Sequence, residues 1–471
     1  MKKSILSLVV LASCILIANA QSWQDTVNSI EKLFERYKPG IPGAQLAISR
    51  NGQLIYSKAW GMADLEHNAP LTTNSVAEAG SVSKQFTAAA ILLLEKEGKL
   101  SLDDDVRKYL PELPNYGNVI TLRHMMQHTS GIKDWGSIAA LAGWPRSTKT
   151  YSNDDALYII SRQQTLNNKP GDEFIYSNSN YNLFAIIVQR VSGMSLAEYT
   201  KKNIFEPAGM THTQWRDDYK RVVPNRAMAY GKSDKYYTNM PNEYVYGNGG
   251  LLTTAEDLLA WVNYYSSGKL GLLQKQITPS AFNRGVMGQY AAGLFITKYE
   301  GVDIITHDGA TASYRASLDY FPTLGLSIAW LSNSSEFDRS FNTPDAVRKL
   351  FIKGKSPEAH DEAVFNVPEE KLKIYASWYR SKRSGAGVRL YMKDGKLQSP
   401  QISRMVPTGE NTFSSPAGKL IILPNNAGFM LIGNLQDSIY FSRVDSVPAN
   451  ANMNEYAGEY YSDEAQATYS I

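Results

Sequence analysis

A serine and a lysine three residues apart, Ser81 and Lys84 in the stretch GSVSKQF, are the smallest unit of this chain that could do chemistry. On a helix, side chains at i and i+3 share a face, so the amine can reach the hydroxyl. A serine hydroxyl is a poor nucleophile at neutral pH and needs a base beside it. Lysine can serve where burial or a neighbouring cation lowers its pKa. The same spacing recurs at Ser266 and Lys269, but there Gly268 is set to end the helix, so that pair lacks a shared face. Two tripeptides complete the candidates: Tyr176-Ser177-Asn178 and His307-Asp308-Gly309. A tyrosine between lysine and serine can pass a proton. Backbone N–H groups at a helix start and on an edge strand after Gly309 can hold a carbonyl oxygen. Singly these are a capped helix, a turn and a strand end; in chain order they make a serine acyl-transfer site.

The elements that must position these residues are legible in part. Apolar residues from Phe86 to Leu94 follow a helical period and Gly98 fits a C-terminal cap, which puts Ser81 at or just before a helix N-terminus. There unpaired N–H groups and the helix dipole favour negative charge. A helix over Trp23 to Tyr37 precedes a hairpin whose turn is Asn51-Gly52. Thr121 reads as the N-cap of a helix ending at Gly131, FIYSNSN as extended or strand-like, and NLFAIIVQRVSG as an apolar helix. Tyr246 to Gly250 is a tight turn leading to a capping box, Thr253 to Glu256, and a helix to about Tyr265. From Leu294 to Ser332 four short β-rich runs follow, so an antiparallel sheet should join N-terminal strands to these later ones around a helical lobe.

The expected fold class is therefore α+β: an antiparallel sheet with flanking helices and a helical lobe, then a small C-terminal β-barrel-like domain. The catalytic domain is expected over 21–355 and the β domain over 367–450, where short alternating runs are punctuated by Asp394-Gly395 and Asn425-Asn426. Tyr375-Ala376, Tyr379 and Ser381 recur as Tyr456-Ala457, Tyr460 and Ser462, so 451–471 reads as the start of a second, truncated copy. It is expected either to pair with the first β unit or to be the remnant of a lost one.

Length and composition describe an ordinary globular chain: 471 residues, 43% hydrophobic, 20% charged, formal net charge +3. No basic run interleaved with aromatics points to nucleic acid. Residues 1–20 have the basic start, short apolar middle and Ala18-Asn19-Ala20 of a secretory signal peptide, which implies a periplasmic or secreted protein. Leu11-Ala12-Ser13-Cys14 is the competing signal, a lipoprotein box that would anchor the protein at Cys14. Beyond it no apolar run reaches membrane-spanning length. His124 and His128 have metal-like spacing, but Met125 stands where a helical zinc-protease motif needs glutamate, so the pair reads as structural. Asp103 to Asp105 reads as a solvated charge run, and Gly247 to Gly250 lacks the lysine of a phosphate loop. No metal and no cofactor is expected, and the partner is a small molecule or peptide substrate.

With HTSGI at 128–132, YSNSNYNLF at 176–184, GNGGLLTTAEDL at 247–258 and HDGATASYRASLDYFP from His307, residues 25 to 350 resemble the serine beta-lactamase and penicillin-binding superfamily. Within it, the resemblance is to the class C beta-lactamase-like group of DD-carboxypeptidases, D-aminopeptidases and related esterases. It implies Ser81 as acylated nucleophile, Lys84 as its activator, and Tyr176 as general base and then acid to the leaving group. Asn178 would hydrogen-bond the substrate amide, Gly309 would let the strand approach the ligand, and the N–H groups of Ser81 and Ala310 would form the oxyanion hole. His307 occupies the place where beta-lactamases have lysine. Asp308 departs from the usual hydroxyl residue and argues against a carboxylate-binding site, unless Arg315 compensates. The expected function is thus an exported serine hydrolase acting on small or D-residue-containing peptides. Esterase and beta-lactamase activity are the alternatives within enzymes, and a non-catalytic penicillin-binding-like envelope protein is the alternative outside them.

Overall fold

Asn51 and Gly52 both take positive φ, 50° and 76°, the conformation of a type I′ turn, and join β1 (Ala44–Arg50) to β2 (Gln53–Trp60). A computed structural model describes residues 23–144, 149–338, 340–352, 365–383, 385–433, 438–445 and 451–471. The expected signal peptide, Cys14 and the boundary near residue 355 lie outside the described residues. β1 also pairs antiparallel with a strand from far along the chain, running from Ala44 opposite Ser332 to Arg50 opposite Leu326. With β3 (Phe295–Tyr299), β4 (Val302–Thr311), β5 (Tyr314–Phe321) and β6 (Leu326–Ser332), the sheet order is β3-β4-β5-β6-β1-β2. The N-terminal hairpin and the later strands thus form one antiparallel sheet.

Both faces of this sheet are covered, which is why β1 and β6 carry nearly unbroken apolar runs instead of alternation. On one face, Ile30 and Phe34 of α1 (23–34) and Val347 of α7 (Asn342–Phe351) meet Leu46, Ile48 and Trp330. On the other, Leu258, Trp261 and Val262 of α6 (Ala255–Ser266) meet Ala47, Ala329 and Leu331, and this core runs on into the helical lobe. The lobe is built on α2 (Lys84–Lys96), α3 (Trp135–Leu141), α4 (Asn153–Ser161) and α5 (Asn178–Ser192). Three consecutive alanines, Ala88 to Ala90, keep α2 thin enough to be buried almost all round.

Three local details differ from the sequence expectations. FIYSNSN is split: Phe174 to Ser177 join no strand ladder, because Ile175 N and Ser177 N donate to His128, and Asn178 already begins α5. The cap of α6 is one residue later, with Thr254 accepting from Asp257 N, since Leu251–Thr253 is drawn into a short strand. Thr121 is an N-cap as expected, but its helix ends at Met126.

The C-terminal unit is a curled eight-stranded antiparallel sheet with its own core. Its strands are β7 (Ser377–Ser381), β8 (Gly387–Lys393), β9 (Lys396–Gln398), β10 (Val406–Gly409), β11 (Thr412–Ser415), β12 (Gly418–Ile422), β13 (Gly428–Ile432) and β14 (Ser438–Val444). Their order is β9-β8-β7-β14-β13-β12-β11-β10, so the edges β9 and β10 do not pair and the barrel is open. Tyr379, Phe413, Leu420 and Phe429 fill it, and α8 (Glu369–Tyr375) adds Leu372 and Tyr375.

The apparent repeat is real locally and fails globally. Tyr379 Oη donates to Tyr375 O at 2.8 Å, and Tyr460 Oη makes the same bond to Tyr456 O at 3.0 Å. Yet Tyr379 is fully buried, whereas Tyr460 is 47% exposed. β15 (Glu459–Ser462) pairs only with β16 (Ala467–Ser470), as a separate hairpin that does not extend the eight-stranded sheet. Its turn docks on the helical lobe instead. Glu464 meets Lys133 Nζ at 2.6 Å and Gln164 N at 2.7 Å, and Tyr469 Oη donates to Leu141 O.

Candidate active site

Between Ser75 and Leu92 every residue is buried except Ser81. It sits in a single 3-10 turn, Gly80–Ser83, that runs straight into α2 and leaves Lys84 as the first residue of the α-helix proper. β4 passes this turn at backbone contact, which requires two glycines. A Cβ on Gly309 would lie 2.0 Å from Ala79 O and 3.1 Å from Ser81 N. A Cβ on Gly80, whose φ is +50°, would lie 2.7 Å from Ala310 N. The missing side chains let the two backbones come this close, with Ser81 N and Ala310 N among the atoms at the contact.

Lys84 is fully buried, and its Nζ has three partners: Ser81 Oγ at 3.1 Å, Asn178 Oδ1 at 2.9 Å and the carbonyl of Asn248 at 2.6 Å. Burial disfavours the ammonium and brings its pKa down to about 7, against a smaller opposing pull from Asp134. The amine is therefore available as a base near neutral pH. Tyr176 closes the other side, with Lys84 Nζ 4.8 Å from its ring centroid. Burial drives the phenol well above its usual range, while the Ser81 hydroxyl pulls the other way. Its hydroxyl is buried and meets no atom in hydrogen-bond geometry. Burial thus moves the Tyr176 phenol away from the neutral range and the Lys84 amine toward it.

The Tyr176–Asn178 segment is held by residues 128–134. Ile175 N donates to His128 O at 2.8 Å, Ser177 N to His128 Nδ1 at 3.1 Å, and Asn178 N to Asp134 Oδ2 at 2.8 Å. The His128 ring also lies against Tyr176, centroids 4.2 Å apart. His124, by contrast, accepts from Thr121 N in the cap of its own helix, so the two histidines work separately. Among the described residues, the one group able to bring three ligand atoms together is Asp64, Glu66 and His67, where the imidazole already bonds Asp64 at 2.8 Å.

His307 lies alongside this centre, but its ring is fully engaged. Nδ1 faces the carbonyl of Asp308 at 2.6 Å; a carbonyl only accepts, so Nδ1 carries the proton and Nε2 accepts from Tyr290 Oη at 3.0 Å. Buried among Tyr290, Phe295 and Tyr176, the imidazole has its pKa pushed down to about 3 by desolvation and then by Lys84. It forms a neutral wall, with no proton to offer Ser81. Asp308 does not face the site's chemistry either. Alternation along β4 turns it to Arg348 of α7, 3.4 Å away, where that guanidinium also bonds Asp319 at 2.8 Å. Arg315 Nη1 donates to the carbonyls of Ala312 and Tyr314.

Sequence reasoning missed Asn248, whose carbonyl holds Lys84, along with Asp134 and Tyr290. Asp134 had a detectable signal, as the N-cap of α3. Asn248 and Tyr290 had none, because one acts through its backbone and the other through a residue 17 positions away.

A helical lobe against an antiparallel sheet, with a serine at a helix start and a buried lysine one turn on, defines the serine hydrolases of the beta-lactamase fold. Residues 30–351 match the Beta-lactamase family model, and the chain belongs to that family. A D-aminopeptidase of Cereibacter sphaeroides is 25% identical over 441 residues, covering 91% of this chain and 81% of that protein. The octameric penicillin-binding protein homologue from Pyrococcus abyssi shares the fold, with TM-score 0.59 and 23% identity over 90% of this chain and 99% of its own. The D-amino acid amidase from Ochrobactrum anthropi SV3 does so at TM-score 0.59 and 20% identity, over 69% of this chain and 98% of its own. The protein is an enzyme, a hydrolase of this family. Among the described residues no helix is long and apolar enough to cross a membrane.

Proposed function

We propose that this hydrolase cleaves the amide bond of small peptides or amino-acid amides, D-residues included, through an acyl-enzyme on Ser81. The observation that carries the reading is the buried Lys84 amine, 3.1 Å from Ser81 Oγ with its pKa brought to about 7. Lys84 takes the hydroxyl proton as Oγ bonds to the substrate carbonyl carbon, and the N–H groups of Ser81 and Ala310 take the oxyanion. The C–N bond then breaks, and the leaving amine takes a proton from the Tyr176 phenol, which Lys84 restores. Water gives one proton to the Lys84 amine as it bonds to the acyl carbon; the C–Oγ bond then breaks, and Lys84 returns that proton to Ser81 Oγ.

Amide substrates are favoured over penicillins and C-terminal carboxylates by the charge of the cleft wall. His307 is neutral, Asp308 is matched with Arg348, and Arg315 is turned to backbone carbonyls. On β4 itself a substrate carboxylate would meet a neutral imidazole and a glycine in place of a cation. The D-aminopeptidase and D-amino acid amidase among its relatives support the same class. We further propose export through residues 1–20, with the mature chain in the periplasm or medium.

Intact-mass analysis after labelling with a fluorophosphonate tests the mechanism. One adduct on the native enzyme and none on Ser81→Ala is expected; an adduct that survives the substitution overturns it. D-aminoacyl amides should then be turned over faster than short esters and a chromogenic cephalosporin. A preference for either of the latter would reassign the substrate.

A further inference from the structure

Lys84 is aimed by a carbonyl, that of Asn248, in a turn closed by Gly247 N donating to Gly249 O at 3.1 Å and tied to α2 by Thr87 Oγ1 donating to Gly247 O at 2.8 Å. Gly247 and Gly250 at its ends have φ of +101° and +89°, and a Cβ on Gly250 would lie 3.0 Å from Tyr246 Cβ. From the helical lobe, Asn182 Nδ2 donates to Asn248 Oδ1 at 2.7 Å. From the opposite side, the turn is held by a buried ion pair that the chemistry at Ser81 does not otherwise use.

Glu78 and Arg216 are 1% and 6% exposed at their side chains. Arg216 Nε donates to Glu78 Oε2 at 2.9 Å and Nη2 to Oε1 at 3.3 Å. Both residues then take hold of Gly250: its N–H donates to Glu78 Oε1 at 3.1 Å, and its carbonyl accepts from Arg216 N at 2.8 Å. The pair thereby locks a three-stranded patch of Ala77–Glu78, Leu251–Thr253 and Gln214–Trp215. One end of this patch leads within three residues to Ser81, and Leu251 N caps the nucleophile turn through Ser83 Oγ at 3.1 Å. The other end leads back to Asn248.

As a stabilising device the pair is poorly built. Burying two charges costs desolvation that their attraction barely offsets, and Arg216 Nη1 is left buried with no hydrogen-bond partner. What it does supply is placement, since one carboxylate and one guanidinium fix the nucleophile turn and the carbonyl on Lys84 relative to each other. We propose that Glu78 and Arg216 are positioning residues for the reaction, holding the Gly247–Gly250 turn so that the Asn248 carbonyl meets the Lys84 amine in line with Ser81. This rests on Ser81 and Lys84 being the working pair.

The test compares fluorophosphonate acylation rates, ester kcat and KM, and thermal melts for Arg216→Lys, Glu78→Gln and the apolar double variant Glu78→Leu/Arg216→Met. The double variant and Arg216→Lys should lose about 10- to 100-fold in acylation and kcat, with KM within about twofold of the native value. Glu78→Gln, which keeps an acceptor for Gly250 N, should recover to within about threefold. Folded Arg216→Lys or double variant acylating at the native rate would overturn the proposal, as would a loss confined to KM. If the double variant fails to fold, Arg216→Lys decides. Label on native enzyme that Ser81→Ala also takes up would overturn the reading of Ser81 and this proposal with it; label on Ser81 with fast variants removes only the positioning role.

Discussion

A lysine with no water around it is a different reagent from the lysines of the surface. Lys84 is buried on all sides, and the loss of hydration, not a nearby cation, brings its amine to about 7. If the neutral amine is the base, kcat/KM should climb roughly tenfold per pH unit below about 7 and level off above it. His307, at about 3, and His128, well below its ordinary value, are neutral through this range and add no limb, while Tyr176 remains a phenol. Lys84→Arg, charged at every accessible pH, should lose about 10²- to 10⁴-fold and show no rise. The same shift has a sign for stability. The unfolded lysine keeps its proton to about 10.5 while the folded one has lost it, so this group adds stability as pH rises from about 7 to about 10.5. A pH–rate profile with a flat acid side would refute the assignment.

At the scale of elements, the C-terminal hairpin shows how local sequence and tertiary placement can part company. Its Tyr-Ala and Tyr-x-Ser spacing copies the first strand of the β domain down to the tyrosine-to-carbonyl bond, yet its partner is the helical lobe. Glu464 is the anchor: Lys133 Nζ and Gln164 N both donate to its carboxylate. Burial raises its pKa, but these donors outweigh burial and hold the pKa below the usual value. Docking is therefore supported above the ordinary glutamate range and lost as pH falls through the lowered value. Glu464→Ala should free the hairpin for proteolysis and cost about 1–2 kcal/mol in urea unfolding. Unchanged protease resistance would mean that the bonds from Arg162 Nη2 to Asp463 O, Gln163 Nε2 to Glu464 O and Tyr469 Oη to Leu141 O hold the hairpin without this carboxylate. Lys133 lies next to Asp134, which caps Asn178, so a modest fall in activity should accompany release.

For the molecule as a whole, the core of the curled C-terminal sheet is separate from the cores on the two faces of the six-stranded sheet, which predicts two units of stability. Among the described residues, Tyr379, Phe413 and Phe429 belong to a C-terminal core separate from that of the helical lobe, and an Arg383–Glu173 ion pair at 3.2 Å links the two units. Phe429 is fully buried, stacked on Phe441 at 4.4 Å and edge-on to Tyr379 at 5.0 Å. Phe429→Ala should remove about 3–5 kcal/mol from the C-terminal unit. Calorimetry should then show one transition moved down while the temperature at which Ser81 labelling is lost stays in place. A single transition that moves as a whole would show the two units unfold together.

What the sequence determined by itself was whatever depends on neighbours a few residues away. The type I′ turn at Asn51-Gly52, the helix after Ser81, the rejection of Ser266 and Lys269, and the strands from Leu294 to Ser332 all rest on local rules, and all of them hold. The motifs at Ser81, Tyr176 and His307 carried the family, because their residue types and order are specific even when their geometry is unknown. Tertiary structure alone decided how those residues are charged and what holds them. Desolvation follows from total burial, so it lowered the Lys84 amine and the His307 imidazole and raised the Tyr176 phenol. Strand alternation turned Asp308 to Arg348, 40 residues on. Glu78 and Arg216, 138 residues apart, and Lys133 and Glu464, 331 apart, meet only because sheet and helices bring them together, and no spacing rule reaches so far.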